Sequence, residues 1–192
     1  MKNEQIFREF KTIPTQLTEE QFNLFVLPHL SEGSRGPHSK LPFYKIFNYI
    51  LRLIHTGVQW YCLPIENDFN GKPEISFTRV YRIFRRWIKD GSLQKVFESS
   101  VIFLAEKKLL DTAILHGDGT TTAAKKGGDV MGYSGHKHQR GEKIVAITDR
   151  NANIIAPFVV AAANKNECNL YINTQICFLL FLDESFQNSF TS

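Results

Sequence analysis

Asp118 is the residue around which chemistry could gather. It follows a compact run, Thr112-Ala113-Ile114-Leu115-His116-Gly117, and precedes a small polar segment, Gly119-Thr120-Thr121-Thr122-Ala123-Ala124. The basic pair Lys125 and Lys126 comes next. A glycine-rich loop then runs from Gly127 to Lys143 and carries His136, Lys137, His138, Arg140 and Lys143. Two further apolar runs follow, residues 144–148 and 154–163, separated by the turn-type cluster Asp149-Arg150-Asn151-Ala152-Asn153. The pattern predicts three consecutive strands, with Asp118 leaving the end of the first. A carboxylate there is held by a sheet yet open at its rim, which suits a divalent metal ligand. The plainer reading is an Asp in a strand-to-turn connection with a Gly on either side, and shape alone favours it. The surrounding cations could hold a phosphate backbone beside such a metal. His136 and His138 offer only two ligands on one loop, too few for a zinc site.

A second stretch with chemical potential is a helix expected over residues 75–89. At about 100° per residue, Arg79, Arg82, Arg86 and Lys89 fall within one sector of about 80°. Phe77, Val80, Phe84, Trp87 and Ile88 fall on the opposite side. An apolar stripe toward a core and an arginine stripe toward solvent suit a DNA-recognition helix. Arginine is apt because its planar fork grips phosphate and the guanine edge. The bland alternative is a solvated basic face on an ordinary amphipathic helix.

Residues 116–129 (HGDGTTTAAKKGGD) and 133–149 (YSGHKHQRGEKIVAITD) resemble the first catalytic segment of bacterial insertion-sequence DDE transposases. The similar group has Asp-Gly-Thr at the end of its first strand and Gly-His-Lys before its second. The resemblance runs from about Pro42 to about Cys168 and includes the Trp60 and Leu63-Pro64 stretch. It implies an RNase H-like catalytic fold behind a helical DNA-binding region of helix–turn–helix character. It implies Asp118 as the first acid of a metal-binding, catalytic triad, with Mg²⁺ as the ion. The activity implied is DNA transposition, by strand cleavage with water and then strand transfer by a 3′-hydroxyl. The partners implied are DNA, both element terminal repeats and target, and a second copy of the chain. Lys125, Lys126 and Lys137 join Arg79, Arg82, Arg86 and Lys89 as expected DNA contacts.

After Cys168 the chain departs from that family. The family continues with a helix, a fourth strand ending in a second catalytic Asp, and a later catalytic Glu. Here residues 176–182 are an apolar run followed by Asp183 and Glu184. Asp183 could be the second carboxylate reached by a shortened link, or a frame change or truncation replaced the true continuation. Two-metal phosphoryl transfer holds its ions about 3.5–4 Å apart, and Mg²⁺ on one side chain stays largely hydrated. The chain alone is therefore expected to be catalytically incomplete. A non-catalytic DNA-binding fragment, acting as an inhibitor or surviving as a pseudogene product, is the alternative. A metal nuclease with acids supplied by another chain is a third reading.

The elements that must position these residues are legible in outline. The fold class expected is α/β: a helical unit over 1–109, then the first part of an RNase H-like mixed sheet over 110–192. Residues 1–11 read as a loose arm or short helix. Thr18-Glu19-Glu20-Gln21 reads as a helix start with a capping box. Phe22, Phe25 and Val26 then share a face until Pro28. Pro42 can open the next helix, whose stripe is Phe43, Phe47, Ile50, Leu51 and Ile54 and whose end is Gly57. Asn70-Gly71 marks a turn. Ser92 can cap a last helix reaching Lys108, with Val96, Phe97, Ile102 and Leu104 as its buried residues. Of the 192 residues 43% are hydrophobic, enough to build a core, and the formal charge is +4. The basic surplus is local. Residues 72–108 hold nine Lys/Arg against four Asp/Glu, whereas residues 151–192 hold one Lys against three acids. Cys62, Cys168 and Cys177 lack metal-ligand spacing and read as reduced thiols of a cytoplasmic protein. The longest apolar run, seven residues at 176–182, is too short to span a bilayer.

Overall fold

A computed structural model describes residues 15–33, 39–124 and 130–172. The readings placed on residues 1–11, on Lys125 and Lys126, and on the run from Ile176 through Asp183 to Glu184 lie outside the described residues. The chain is mixed in class, with helices followed by an antiparallel four-stranded sheet. It divides into two compact units, Met1–Ser99 and Ser100–Ser192. That division falls inside a helix rather than at residue 109.

In the first unit, helix α1 (Glu19–Phe25) starts as its sequence dictates. Thr18 Oγ1 accepts from the Gln21 N–H, and Gln21 Oε1 accepts from the Thr18 N–H. Glu19 and Glu20 place negative charge at the positive end of the helix dipole. A 3₁₀ turn at Leu27–His29, with Pro28 inside it, follows directly. Helix α2 (Phe43–Thr56) begins after Pro42 and ends at Gly57, whose φ of 66° is the left-handed conformation that glycine, lacking a Cβ, adopts without a clash. Ile46, Phe47, Tyr49 and Ile50 are buried. Ile54 lies on the same side but in the last turn, where the helix runs past the packed core, and it is exposed.

Helix α3 (Phe77–Lys89) starts two residues later than expected because Ser76 caps it, its Oγ accepting from the Arg79 N–H. Ile75 before the cap and Val80 one turn on are buried in one cluster, the arrangement of a hydrophobic staple. Trp87 is fully buried. Its ring meets Phe43 edge-on at 5.6 Å and Phe47 at 6.3 Å. Trp60, in a 3₁₀ turn, packs its ring on Tyr81 at 5.0 Å and Phe84 at 5.3 Å. A polar node closes this core. Glu74 Oε1 accepts from Tyr49 Oη at 2.7 Å, and Lys45 Nζ lies 2.9 Å from Glu74 Oε2. Burial pushes the Glu74 carboxyl up, but the Tyr49 and Lys45 hydrogen bonds and the Lys45 charge outweigh it and hold it below the ordinary carboxylate value.

Helix α4 (Ser92–Glu106) is opened by Asp90 rather than by Ser92. Asp90 Oδ1 accepts from the Ser92 N–H at 3.0 Å and from Ser92 Oγ at 2.6 Å. Ser92 is buried because its hydroxyl also accepts from the Ser31 N–H. Val101 is the buried apolar residue of α4. Val96, Phe97, Ile102 and Leu104 are half-buried.

The second unit is organised on one long strand. Strands β1 (His116–Ala123), β2 (Gly132–Ser134), β3 (Gln139–Thr148) and β4 (Val159–Ala162) form one sheet. β1 pairs along one edge of β3, and β2 and β4 lie end to end along the other. Every pairing among the described strands is antiparallel, so the parallel component of a mixed sheet is not among them. The third apolar run is split. Ile154 makes an isolated bridge to Thr148, and pairing resumes at Val159. Pro157 lies between, and a proline cannot donate to a ladder.

Candidate functional site

Asp118 stands three residues into β1, opposite Ala146, and not at the strand's end. The preceding run is not a strand. Residues 112–114 are turn and bend, and Ile114 and Leu115 are exposed. Asp111 holds that turn, its Oδ1 accepting from the Ala113 N–H. Pairing begins only at His116 and continues through Thr120-Thr121-Thr122, whose β-branched side chains suit a pleated surface. Alternation then sorts the faces. Gly117 and Gly119 share a face with Ile147 and Val145, both buried. Asp118 and Thr120 share the other with Ala146 and Ile144, and both are exposed.

The glycines on either side of Asp118 have a structural cause. Residues 167–172 are helical. A Cβ at Gly117 would stand 2.6 Å from the Tyr171 ring, and one at Gly119 would stand 3.0 Å from the Glu167 carboxyl carbon. The strand can approach that helical turn only where it lacks side chains. Glu167 is held in place by Lys143, whose Nζ lies 3.1 Å from its Oε1 and also donates to the Lys165 carbonyl. Burial raises the Tyr171 phenol, and the nearby Glu167 and Asp118 charges add to the rise.

Of the expected cations, Lys137 lies on the turn between β2 and β3 and is exposed. Gln139 starts β3 and Ala146, opposite Asp118, is seven residues along it. At about 3.3 Å per residue that is about 23 Å. Lys137 is therefore several phosphates away from Asp118, not beside it. Lys143 is nearer along the strand, but its charge is engaged by Glu167. Among the described residues no three His, Cys, Asp or Glu side chains converge on a metal-sized site. The described residues thus do not by themselves fit the Mg²⁺ centre that the resemblance implies.

Among the described residues the fully buried acid is Asp149, which the sequence marks only as a turn residue. Its Oδ1 accepts from the backbone N–H groups of Asn151 and Asn153. Its Oδ2 accepts from the Asp111 N–H and from Asn153 Nδ2. Burial pushes this carboxyl up, yet the Asn153 side chain and the three backbone donors hold it below its ordinary value. Asp149 is a turn lock, with its acceptor sites directed at the chain.

The basic face of α3 is rotated from the expected one. The buried stripe is Val80, Ile83 and Trp87, while Phe77 and Ile88, expected inside, are exposed. At about 100° per residue, Arg85 then lies close to diametrically opposite that stripe, with Lys89 and Arg82 in the same sector. All three are exposed. Arg85 donates to Tyr81 Oη at 3.2 Å and lies 5.9 Å from the Tyr81 ring centre. Arg79 is exposed at the flank. Arg86 turns inward. Its Nη2 donates to the Ser31 carbonyl at 3.2 Å, beside the Trp87 Nε1 that donates to the same oxygen at 3.0 Å. Its guanidinium occupies the space a Gly33 side chain would need. Arg86 is a bracket for residues 31–33. Ile83 is absent from the apolar stripe that the sequence suggests; including it turns the wheel and brings Arg85 to the outward face.

A scan against protein-family models finds no match, and searches of curated proteins and of solved structures find none either. Among the described residues no helix is long and apolar enough to cross a membrane.

Proposed function

We propose that this chain is a DNA-binding protein of the insertion-sequence transposase kind. Its helical unit engages element-end DNA through α3, and its second unit is the first part of an RNase H-like domain. The observation that carries the reading is the outward face of α3, where Arg82, Arg85 and Lys89 stand together opposite a buried Val80–Ile83–Trp87 stripe. Cations so grouped neutralise successive phosphates, and an arginine fork can read a guanine edge. The antiparallel meander of β1, β3 and β4 supports the second half. It puts Asp118 on an exposed face of the first strand. In this reading Asp118 supplies one carboxylate to Mg²⁺, target DNA and a second copy of the chain are further partners, and the remaining acids come from outside the described residues. A DNA-binding role without catalysis is the second reading, favoured by Glu167, the acid packed beside Asp118's strand, being paired to Lys143.

The binding half has a direct test. The triple replacement of Arg82, Arg85 and Lys89 with Ala is expected to weaken binding of the full chain to duplex carrying the element ends. It should also flatten the dependence of log K on log salt by about 0.9 for each phosphate no longer neutralised. Arg86→Ala should leave that slope unchanged. A triple variant that folds and keeps the parent slope removes α3 as the DNA face.

The catalytic half is tested by nicking of end-labelled duplex in Mg²⁺. Any nicking by the chain is expected to disappear in Asp118→Asn, because the amide cannot supply the negative charge that a divalent ion needs. Metal-dependent nicking that survives Asp118→Asn would exclude this residue as the ligand.

A further inference from the structure

The β2–β3 hairpin lies toward the opposite end of the sheet from Asp118 and carries its own constellation. Tyr133 pairs with Arg140 and Ser134 with Gln139, and residues 135–138 turn between them. Directly opposed residues share a face of a hairpin, and neighbours alternate. Ser134 and Gln139 make the inner face. Ser134 is buried, and Gln139 Nε2 donates to the Thr121 carbonyl of β1. Tyr133 and Arg140 make the outer face. Tyr133 is 54% exposed, and Arg140 is exposed beside it. Opposed Cβ atoms stand about 5 Å apart, so both side chains rise from one patch of this face.

The tip is held in shape. The Lys137 N–H donates to Ser134 Oγ, His138 adopts a left-handed φ of 49°, and Tyr133 Oη lies 3.5 Å from His138 Nδ1. His136, Lys137 and His138 are all exposed there. No Asp or Glu occurs from Val130 to Gly141; the first is Glu142, half-buried.

An exposed ring with an exposed arginine at the opposed position and Lys137 at the turn offers a stacking surface with phosphate ligands around it. Duplex DNA keeps its bases stacked on each other and offers such a ring only backbone. An unpaired strand offers a base face to the ring and phosphates to the cations. We propose that the outer face of the β2–β3 hairpin binds an unpaired DNA strand, with one base stacked on Tyr133 beside Arg140 and the adjoining phosphates on Lys137 and the turn. This goes beyond Lys137 as a phosphate contact. It does not depend on metal chemistry at Asp118 or on the α3 face.

The test uses the full chain and fluorescence anisotropy with labelled oligothymidine and, separately, a duplex of the same length. Tyr133→Ala is expected to weaken oligothymidine binding by about five- to a hundredfold, the range of one base–aromatic stack, and to leave duplex binding unchanged. Tyr133→Phe keeps the ring and should bind as the parent does. Arg140→Ala and Lys137→Ala should each lower the salt slope for oligothymidine by about 0.7. Replacing Arg82, Arg85 and Lys89 should affect the duplex alone, so failure of the α3 reading and failure of this one are distinguishable. The proposal is overturned if the chain does not bind oligothymidine, or if Tyr133→Ala binds it as tightly as the parent. Equal loss for both DNAs in Tyr133→Ala overturns it as well, since stacking is then not the cause.

Discussion

Replacing Trp87 with Ala is expected to destabilise the helical unit by about 3–5 kcal/mol, the usual cost of emptying a fully buried aromatic site. The indole holds three things at once. It fills the space among α2, α3 and the residues before α2. It lies edge-on to Phe43 and tilted on Phe47. Its Nε1 shares the Ser31 carbonyl with Arg86. Ser31 in turn donates its hydroxyl to Asp90 and its N–H to Ser92, the residues that open α4. Loss of Trp87 therefore loosens the seam between residues 31–33 and the α3–α4 corner. Trp87→Phe retains most of the packing and should cost about 1 kcal/mol more than any packing loss, for the missing hydrogen bond. Urea unfolding followed by far-UV circular dichroism separates the two. A loss below about 1 kcal/mol for Trp87→Ala would falsify the assignment of this residue as the centre of the core.

Asp149→Ala should be comparably damaging to the second unit, by about 3–5 kcal/mol, because it empties a fully buried site and leaves three backbone N–H donors without their acceptor. Asp149→Asn is no remedy. Its amide would turn an NH₂ group toward either the Asp111 N–H and Asn153 Nδ2, or the Asn151 and Asn153 N–H groups. The pH dependence follows from the sign of the shift. The folded carboxyl is held below its ordinary value, so the unfolded chain binds the proton more readily. Its contribution is present above the unfolded carboxylate range, near about pH 4, and is lost as pH falls through the folded value. The stability difference between parent and Asp149→Asn should be constant from about pH 6 to 8 and shrink below about pH 4. A difference that grows on acidification would contradict the hydrogen-bond lock.

Short-range features of this chain could be read directly because their causes are local. The Thr18–Gln21 box, the Gly57 stop and the Asn70-Gly71 turn each rest on a few adjacent residues. In the last, Gly71 has a φ of 74° and Asp68 accepts from Asn70 and Lys72. The amphipathic character of α3 was legible for the same reason. The orientation of that helix was not. Whether Ile83 or Phe77 lies inside depends on where α2 and the Trp60 turn press, and periodicity leaves tens of degrees of freedom. Arg85 and Arg86 are adjacent and chemically identical, and only packing against Ser31 and Gly33 makes one a bracket and leaves the other outward.

The sheet shows the same boundary. Apolar runs announced strands at residues 144–148 and 154–163, but strand limits are set by partners. β3 extends back to Gln139 because β1 and β2 both pair with it there or nearby. The apolar residues 113–115 find no partner strand, since Asp111 and Asp149 tie the chain into a turn first. Asp118 was recognisable as a residue between two glycines, with two meanings open. Tertiary structure supplies the cause of those glycines, the ring of Tyr171 and the carboxylate of Glu167 lying against the strand. These neighbours are far apart in the chain, at a separation where composition and spacing carry no register. Close packing chooses that register, and with it which of the chain's acids is buried and which faces outward.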